Sequence, residues 1–122
     1  MKLIFSPASP FVRKVNVMRH EGKLVDMISL TPVQTTALST DPAARSANPL
    51  GRIPALALDN GKTIFDSRVI CRYLDDLSGA GLYPKAMLWE VLTLEALADG
   101  IMESAVLMVY EARLRPEEKQ FE

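Results

Sequence analysis

The residue types that could do chemistry in this 122-residue chain are few, and their surroundings limit what that chemistry is. A single cysteine, Cys71, excludes an internal disulfide and any all-cysteine metal site, and a single histidine, His20, excludes a histidine-rich one. What remains are hydroxyls, carboxylates and backbone groups at the starts of elements. Ser9 stands just before Pro10, the pair expected at the N-cap and first position of a helix. The stretch NPLGRIPAL, Asn48 to Leu56, brings Pro54 to the entrance of an apolar run. Pro54 has no N–H to give a ladder, so it belongs at an edge or an irregular turn, and a cis Ile53-Pro54 bond would leave the Ile53 backbone groups facing open space. Asp66 or Ser67 caps the apolar helical pattern that follows them. Glu95, Asp99 and Glu103 recur at helical spacing as a narrow acidic stripe.

Composition bounds the partners. With 48% hydrophobic and 24% charged residues, the chain suits one ordinary domain, or a small domain with an appendage. Lys plus Arg is 14 and Asp plus Glu is 15, so no overall field favours nucleic acid or an anionic membrane. The opening MKLIFSPASP has too short an apolar run for a signal peptide. Glu90, Glu95, Asp99 and Glu103 interrupt the most apolar region, so no membrane span is expected and the composition fits a cytoplasmic protein.

The elements that must position these residues follow from periodicity. Lys2 to Ser6 reads as a strand, and Pro10 onward as a helix with Phe11, Val12, Val15 and Met18 on one side, ending at Gly22. Leu24 to Leu30 reads as a second strand, which makes a right-handed βαβ unit with parallel strands. Thr31 to Ala47 reads as a loop with a short helix around Pro42 to Ser46. Ile53 to Leu58 and Thr63 to Phe65 read as an antiparallel hairpin turned by Asp59-Asn60-Gly61. A helix follows with Val69, Ile70, Tyr73, Leu74 and Leu77 on one face, closing at Gly79. The expected organisation is a domain over residues 1–78, a linker over 79–84 and a helical segment over 85–122.

Lys85 to about Arg113 reads as one long helix, apolar around most of its circumference and therefore requiring neighbours on several sides. Trp89 and the methionines read as packing residues, Cys71 as a small buried hydrophobe, and His20 as a helix-end polar group. Glu117 to Gln120 read as the start of another helix.

SPASPFVRKV, NPLGRIPAL, Phe65-Asp66-Ser67-Arg68 and the helix LADGIMESAV together resemble a bacterial, serine-type glutathione S-transferase. The resemblance implies an α/β fold with a thioredoxin-like domain, βαβ then ββα around a mixed four-stranded sheet, followed by the first helix of an all-helical domain. It covers essentially the whole chain, whereas proteins of that family run to about one domain more, so the helical domain is expected to be truncated. The activity implied is binding of glutathione as co-substrate, with no metal, and activation of its thiol for conjugation to a small electrophile, in a homodimer. A thiol of pKa ~8.5 is mostly protonated at neutral pH and needs donors or positive potential to ionise.

By that resemblance Ser9 donates its hydroxyl to the glutathione sulfur as a hydrogen-bond donor rather than a nucleophile, since no paired base is evident, with Ser6 as the fallback. Ile53 pairs through its backbone with the cysteinyl part, beside Pro54, as in strand addition. Ser67 and the helix start meet the γ-glutamyl carboxylate, and Asp66, where many relatives carry Glu, faces the ammonium. Asp99, within Asp99-Gly100-Ile101-Met102-Glu103, reaches the glutathione of the other subunit. Arg13 and Arg68 resemble positions near the site or interface. Each assignment has a plainer alternative: capping for Ser9, Asp66 and Ser67, an ordinary strand start for Ile53-Pro54, and a solvated stripe for Asp99. The alternative function is a non-catalytic adaptor, like the starvation-response regulators that use this fold to bind RNA polymerase.

Overall fold

The computed structural model describes residues 1–121. Strands β1 (Lys2–Phe5), β2 (Ser29–Pro32), β3 (Ala55–Ala57) and β4 (Thr63–Phe65) form one sheet in the order β2-β1-β3-β4. β1 and β2 are parallel, whereas β3 is antiparallel to both β1 and β4. Helices α1 (Pro10–Glu21), α2 (Pro42–Ala47) and α3 (Ser67–Ser78) surround the sheet, and α4 (Leu88–Leu114) follows a short turn. This is the mixed four-stranded arrangement expected.

Strand alternation divides the core into two layers. Leu3 and Leu56 face one side and pack with Val15 and Met18 of α1 and Ile70, Cys71 and Leu74 of α3. Ile4 and Ala55 face the other, against Ala44 and Ala47 of α2. On α3 the buried stripe is narrower than expected, because Val69 and Leu77 are exposed.

The second strand lies further along than Leu24 to Leu30. Leu24 and Ile28 are buried, but from a turn in which the Met27 and Ile28 N–H groups both donate to the Leu24 carbonyl at 3.1 Å. Arg19 takes two of this segment's other acceptors, donating from Nε to the Ile28 carbonyl at 3.0 Å and from Nη2 to that of Val25 at 2.8 Å. Backbone groups so engaged cannot join a ladder, and pairing with β1 begins only at Ser29. The third strand is also shorter than Ile53 to Leu58, and Pro54 lies just ahead of an interior strand rather than on an edge strand. This placement spares the ladder the N–H that proline lacks.

Helix α4 inverts the expectation set by its composition. Asp99 is its buried residue, whereas Leu97, Ile101 and Met108 are exposed. Trp89, expected to pack, is 76% exposed. The acidic stripe docks on α1 and α3 because Lys14 and Arg68 supply cations there. Residues Glu117–Lys119 form one turn of 3-10 helix, and the Gln120 side-chain amide donates to the Arg115 carbonyl at 2.9 Å. Among the described residues, no helix is long and apolar enough to cross a membrane.

Candidate functional site

Topology brings three of the predicted positions to one end of the sheet. The loop after β1 carries Ser9. Because β3 runs antiparallel to β1, its entrance at Ile53-Pro54 lies beside that loop, with Ile4 opposite Ala55. β4 reverses again, so its exit, with Phe65 opposite Ala55, delivers Asp66 and Ser67 to the same end. Neighbouring strands stand about 4.8 Å apart, so the outer two of these three strands are about 10 Å apart. That is close to the ~10 Å span of an extended tripeptide.

Ser9 is the N-cap of α1. Its Oγ accepts from the Val12 N–H at 3.3 Å, while its own N–H donates to the Ser6 carbonyl at 3.1 Å. Capping uses a lone pair of the hydroxyl and leaves its proton available, so capping and donation to an anion are compatible roles for one side chain. The helix N-terminus adds positive potential at the same point.

The entrance to β3 is held by a residue the sequence reading passed over. Asn48 is 2% exposed; its Oδ1 accepts from the Leu50 N–H at 2.9 Å and its Nδ2 donates to the Arg52 carbonyl at 3.0 Å. Asn followed by Pro and Gly is a turn signature, which was the available signal. Gly51 completes the turn with φ +65°, where an added Cβ would stand 2.6 Å from Thr40 Cγ2. Ile53-Pro54 is a cis bond. Among the described residues, no hydrogen bond outside the sheet and helices engages the Ile53 N–H or carbonyl.

Asp66 caps α3, its Oδ1 accepting from the Arg68 N–H at 2.9 Å and from Arg68 Nε at 3.2 Å. Burial works against its charge, but the Arg68 guanidinium and N–H outweigh that and hold the carboxyl below the usual aspartate range. Its backbone is strained, with φ 73° and ψ 127° on a non-glycine residue, and such outliers cluster where ligands are clamped. Ser67, next to it, is 5% exposed, and its hydroxyl bonds no partner among the described residues.

Two cap substitutions separate strain from capping. Asp66→Gly relieves a strain of about 1–3 kcal/mol and costs the cap only a few tenths, so its urea midpoint is expected to equal or exceed the parent's. Asp66→Ala keeps the strain and loses about 1 kcal/mol of capping, so its midpoint falls. Equal midpoints for the two variants would contradict a strained Asp66.

Asp99 is not part of a solvated stripe. Both its carboxylate oxygens lie 3.0 Å from Lys14 Nζ, and Arg68 Nε is 3.5 Å away. Glu95 accepts from the same Lys14 Nζ at 2.7 Å and from the Tyr83 hydroxyl at 2.7 Å. Burial opposes the Lys14 charge, but hydrogen bonds to Glu95 and Asp99 outweigh it and raise its pKa. Burial, then the bond to Glu95, raises that of Tyr83. Arg68 thus links Asp66, at the sheet end, to Asp99 on α4. Lys14, Glu95 and Tyr83 carried no local sequence signal for these roles.

Cys71 is buried, and burial pushes its thiol up to about 12. A thiol this protonated is a poor nucleophile. Iodoacetamide labelling at pH 8 is therefore expected to follow unfolding, and rapid labelling of native protein would contradict that burial. Among the described residues, no group of three or more potential ligands is arranged to hold a metal ion. His20 is exposed at the end of α1.

Residues 8–77 match the family described as Glutathione S-transferase, N-terminal domain. The chain belongs to the glutathione S-transferase family. It is 36% identical over 126 residues to the uncharacterized GST-like protein YibF of Escherichia coli strain K12, covering all of this chain and 59% of that protein. A glutathione transferase family member from Pseudomonas fluorescens Pf-5, solved with bound glutathione, is 47% identical, with a TM-score of 0.95 over 98% of this chain and 60% of that one. A structure of a P. fluorescens Pf-5 family member with bound S-(propanoic acid)-glutathione matches at 45% identity and a TM-score of 0.88, over 98% of this chain and 59% of that one. The chain therefore spans about 60% of the length of these relatives.

Proposed function

We propose that the chain binds glutathione across the common end of β1, β3 and β4 and holds its sulfur as a thiolate at Ser9, for conjugation to a small electrophile. The observation that carries this reading is the convergence of Ser9, Ile53-Pro54 and Asp66-Ser67 at one sheet end, in a chain 47% identical to a family member with bound glutathione. The Ile53 N–H and carbonyl pair with the cysteinyl backbone beside Pro54, giving affinity through main-chain bonds. The Ser67 hydroxyl and the start of α3 meet the γ-glutamyl carboxylate. Asp66 meets the ammonium, and both Asp66 variants described above are expected to weaken glutathione binding.

Charge counting supports the ammonium position. The four carboxylates Asp66, Glu95, Asp99 and Glu103 share the two cations Lys14 and Arg68. Over the whole cluster the carboxylates outnumber the cations by two, and an ammonium at Asp66 would supply one positive charge. Asp99 is engaged by Lys14 and Arg68 of its own chain, so its contribution to glutathione, including that of a second subunit in a homodimer, is best read as acting through Arg68. The relative with bound S-(propanoic acid)-glutathione supports a site whose sulfur end admits a short acid substituent.

Isothermal titration of the chain with glutathione tests the reading. Saturable heat with a Kd of about 1 mM or tighter, at least ~4 kcal/mol of binding free energy, is expected. No heat at millimolar ligand would remove it.

A further inference from the structure

The turn that leads into β3 is tied together by Asn48, whose side chain is buried. Its N–H donates to the Ala44 carbonyl at 2.9 Å, where α2 ends, and its carbonyl accepts from the Gly51 N–H at 2.7 Å. The side chain bridges the same turn, since Oδ1 accepts from the Leu50 N–H and Nδ2 donates to the Arg52 carbonyl at 3.0 Å. Main chain and side chain together join the end of α2 to Leu50, Gly51 and Arg52. Burial makes these ties strict, because a buried polar group that loses its partner gains no water in exchange.

The bond to Arg52 acts on the next residue. The Arg52 carbonyl and the Ile53 N–H belong to one planar peptide unit, and the cis bond of this segment is the following one, Ile53-Pro54. In a trans unit the C=O and N–H point in opposite directions. With its oxygen held on Asn48 Nδ2, that plane cannot turn, and the Ile53 N–H is aimed away from Asn48. The Ile53 side chain packs against the layer that contains Ile4, Ala44 and Ala47, which anchors the residue from its other side. Among the described residues, this N–H has no partner outside the sheet and helices. It is a donor fixed in direction and left free.

We propose that Asn48 is a positioning residue for glutathione, its amide aiming the Ile53 N–H, through the Arg52 carbonyl, at the cysteinyl carbonyl before the ligand arrives; this rests on the glutathione reading above, which pairs Ile53 with the cysteinyl backbone. Both polar atoms of the Asn48 amide are engaged within the protein, so its effect passes through the peptide plane rather than through a contact of its own. A donor that is already aimed carries no ordering cost on binding, and affinity rises without an added contact. The effect is confined to the one ligand group that the N–H meets.

That confinement gives the test. Glutathione is compared by calorimetry with an analogue in which an (E)-alkene replaces the cysteinyl–glycine amide, which keeps the shape and removes the carbonyl. The parent is expected to bind glutathione about tenfold more tightly than the alkene. Asn48→Ser keeps an acceptor for the Leu50 N–H but is too short to reach the Arg52 carbonyl. It is expected to weaken glutathione about tenfold, leave the alkene near its parent affinity and bring the ratio close to one. A ratio kept at its parent value, whether or not both affinities fall, reduces Asn48 to a structural residue, overturns the proposal and leaves the glutathione reading standing. Equal affinities in the parent remove the Ile53 pairing and the proposal with it, and no binding of glutathione removes the whole reading. Amide hydrogen exchange in the parent decides the case in which Asn48→Ser does not fold. The Leu50 N–H should be protected with and without glutathione, and the Ile53 N–H with glutathione alone. A Leu50 N–H that gains protection only on binding means that the turn is not set in advance, and overturns the proposal.

Discussion

Lys14→Met is expected to cost the chain about 3–5 kcal/mol, the loss found when one partner of a buried ion pair is removed. Lys14 Nζ lies 2.7 Å from Glu95 and 3.0 Å from Asp99, whose side chains are 8% and 3% exposed. Methionine keeps the apolar stem but leaves Glu95 with Tyr83 as its remaining partner, and Asp99 with Arg68 at 3.5 Å. Against a total of about 5–15 kcal/mol this is a large share, and the helix that loses its anchor is α4. Urea unfolding followed by far-UV circular dichroism reads the effect as a drop in midpoint, with an early loss of helical signal if α4 undocks first. Combining Lys14→Met with Glu95→Gln and Asp99→Asn should recover part of the loss, because most of it comes from stranded charge. A midpoint unchanged by Lys14→Met would show that the cluster contributes nothing net.

The same cluster sets a pH dependence. The pKa of Lys14 is raised in the folded chain, so its contribution is fully present below the unfolded value of 10.5 and is lost as pH rises through the higher folded value. That of Asp66 is lowered, so its contribution is present above 3.8 and is lost as pH falls through the lower folded value. Neither group weakens the fold around neutral pH. Lys14→Met should flatten the alkaline loss.

What could be read from the sequence was what neighbours along the chain decide. Ser9-Pro10, Asp66 and Gly79 mark helix ends because a cap acts within one turn, and Asp59-Asn60-Gly61 marks a hairpin for the same reason. The convergence of Ser9, Ile53-Pro54 and Asp66-Ser67 followed from those ends plus strand direction. What could not be read depended on side chains arriving from elsewhere. Arg19 takes the Val25 and Ile28 carbonyls, so apolar residues with strand-like spacing sit in a turn. Lys14 and Asp99 are 85 residues apart, and their pairing turns the polar side of α4 inward. Hydrophobicity alone argued the reverse, because it weighs Trp89 and Ile101 without knowing where the cations are.

Ser9 joins the legible part of the chain to its proposed chemistry, and two substitutions separate its two roles. Ser9→Ala removes both the cap and the hydroxyl donor, whereas Ser9→Gly removes the donor and keeps most of the cap. Stability is therefore expected to fall by about 1 kcal/mol in Ser9→Ala and by a few tenths in Ser9→Gly. If the hydroxyl holds the glutathione thiolate, both variants lose a hydrogen bond to a charged group, worth about 1.5–3 kcal/mol. The pKa of bound glutathione should then rise by about one to two units in each, read by ultraviolet thiolate absorbance across a pH titration. The diagnostic is that the two effects part company, with stability following the cap and thiol ionisation following the hydroxyl. Thiolate absorbance that stays at the parent level in both variants would leave Ser9 as a helix cap and nothing more. A shift in Ser9→Ala alone would mean that α1 must be properly started for the sulfur to ionise, which moves the credit from the hydroxyl to the helix N-terminus.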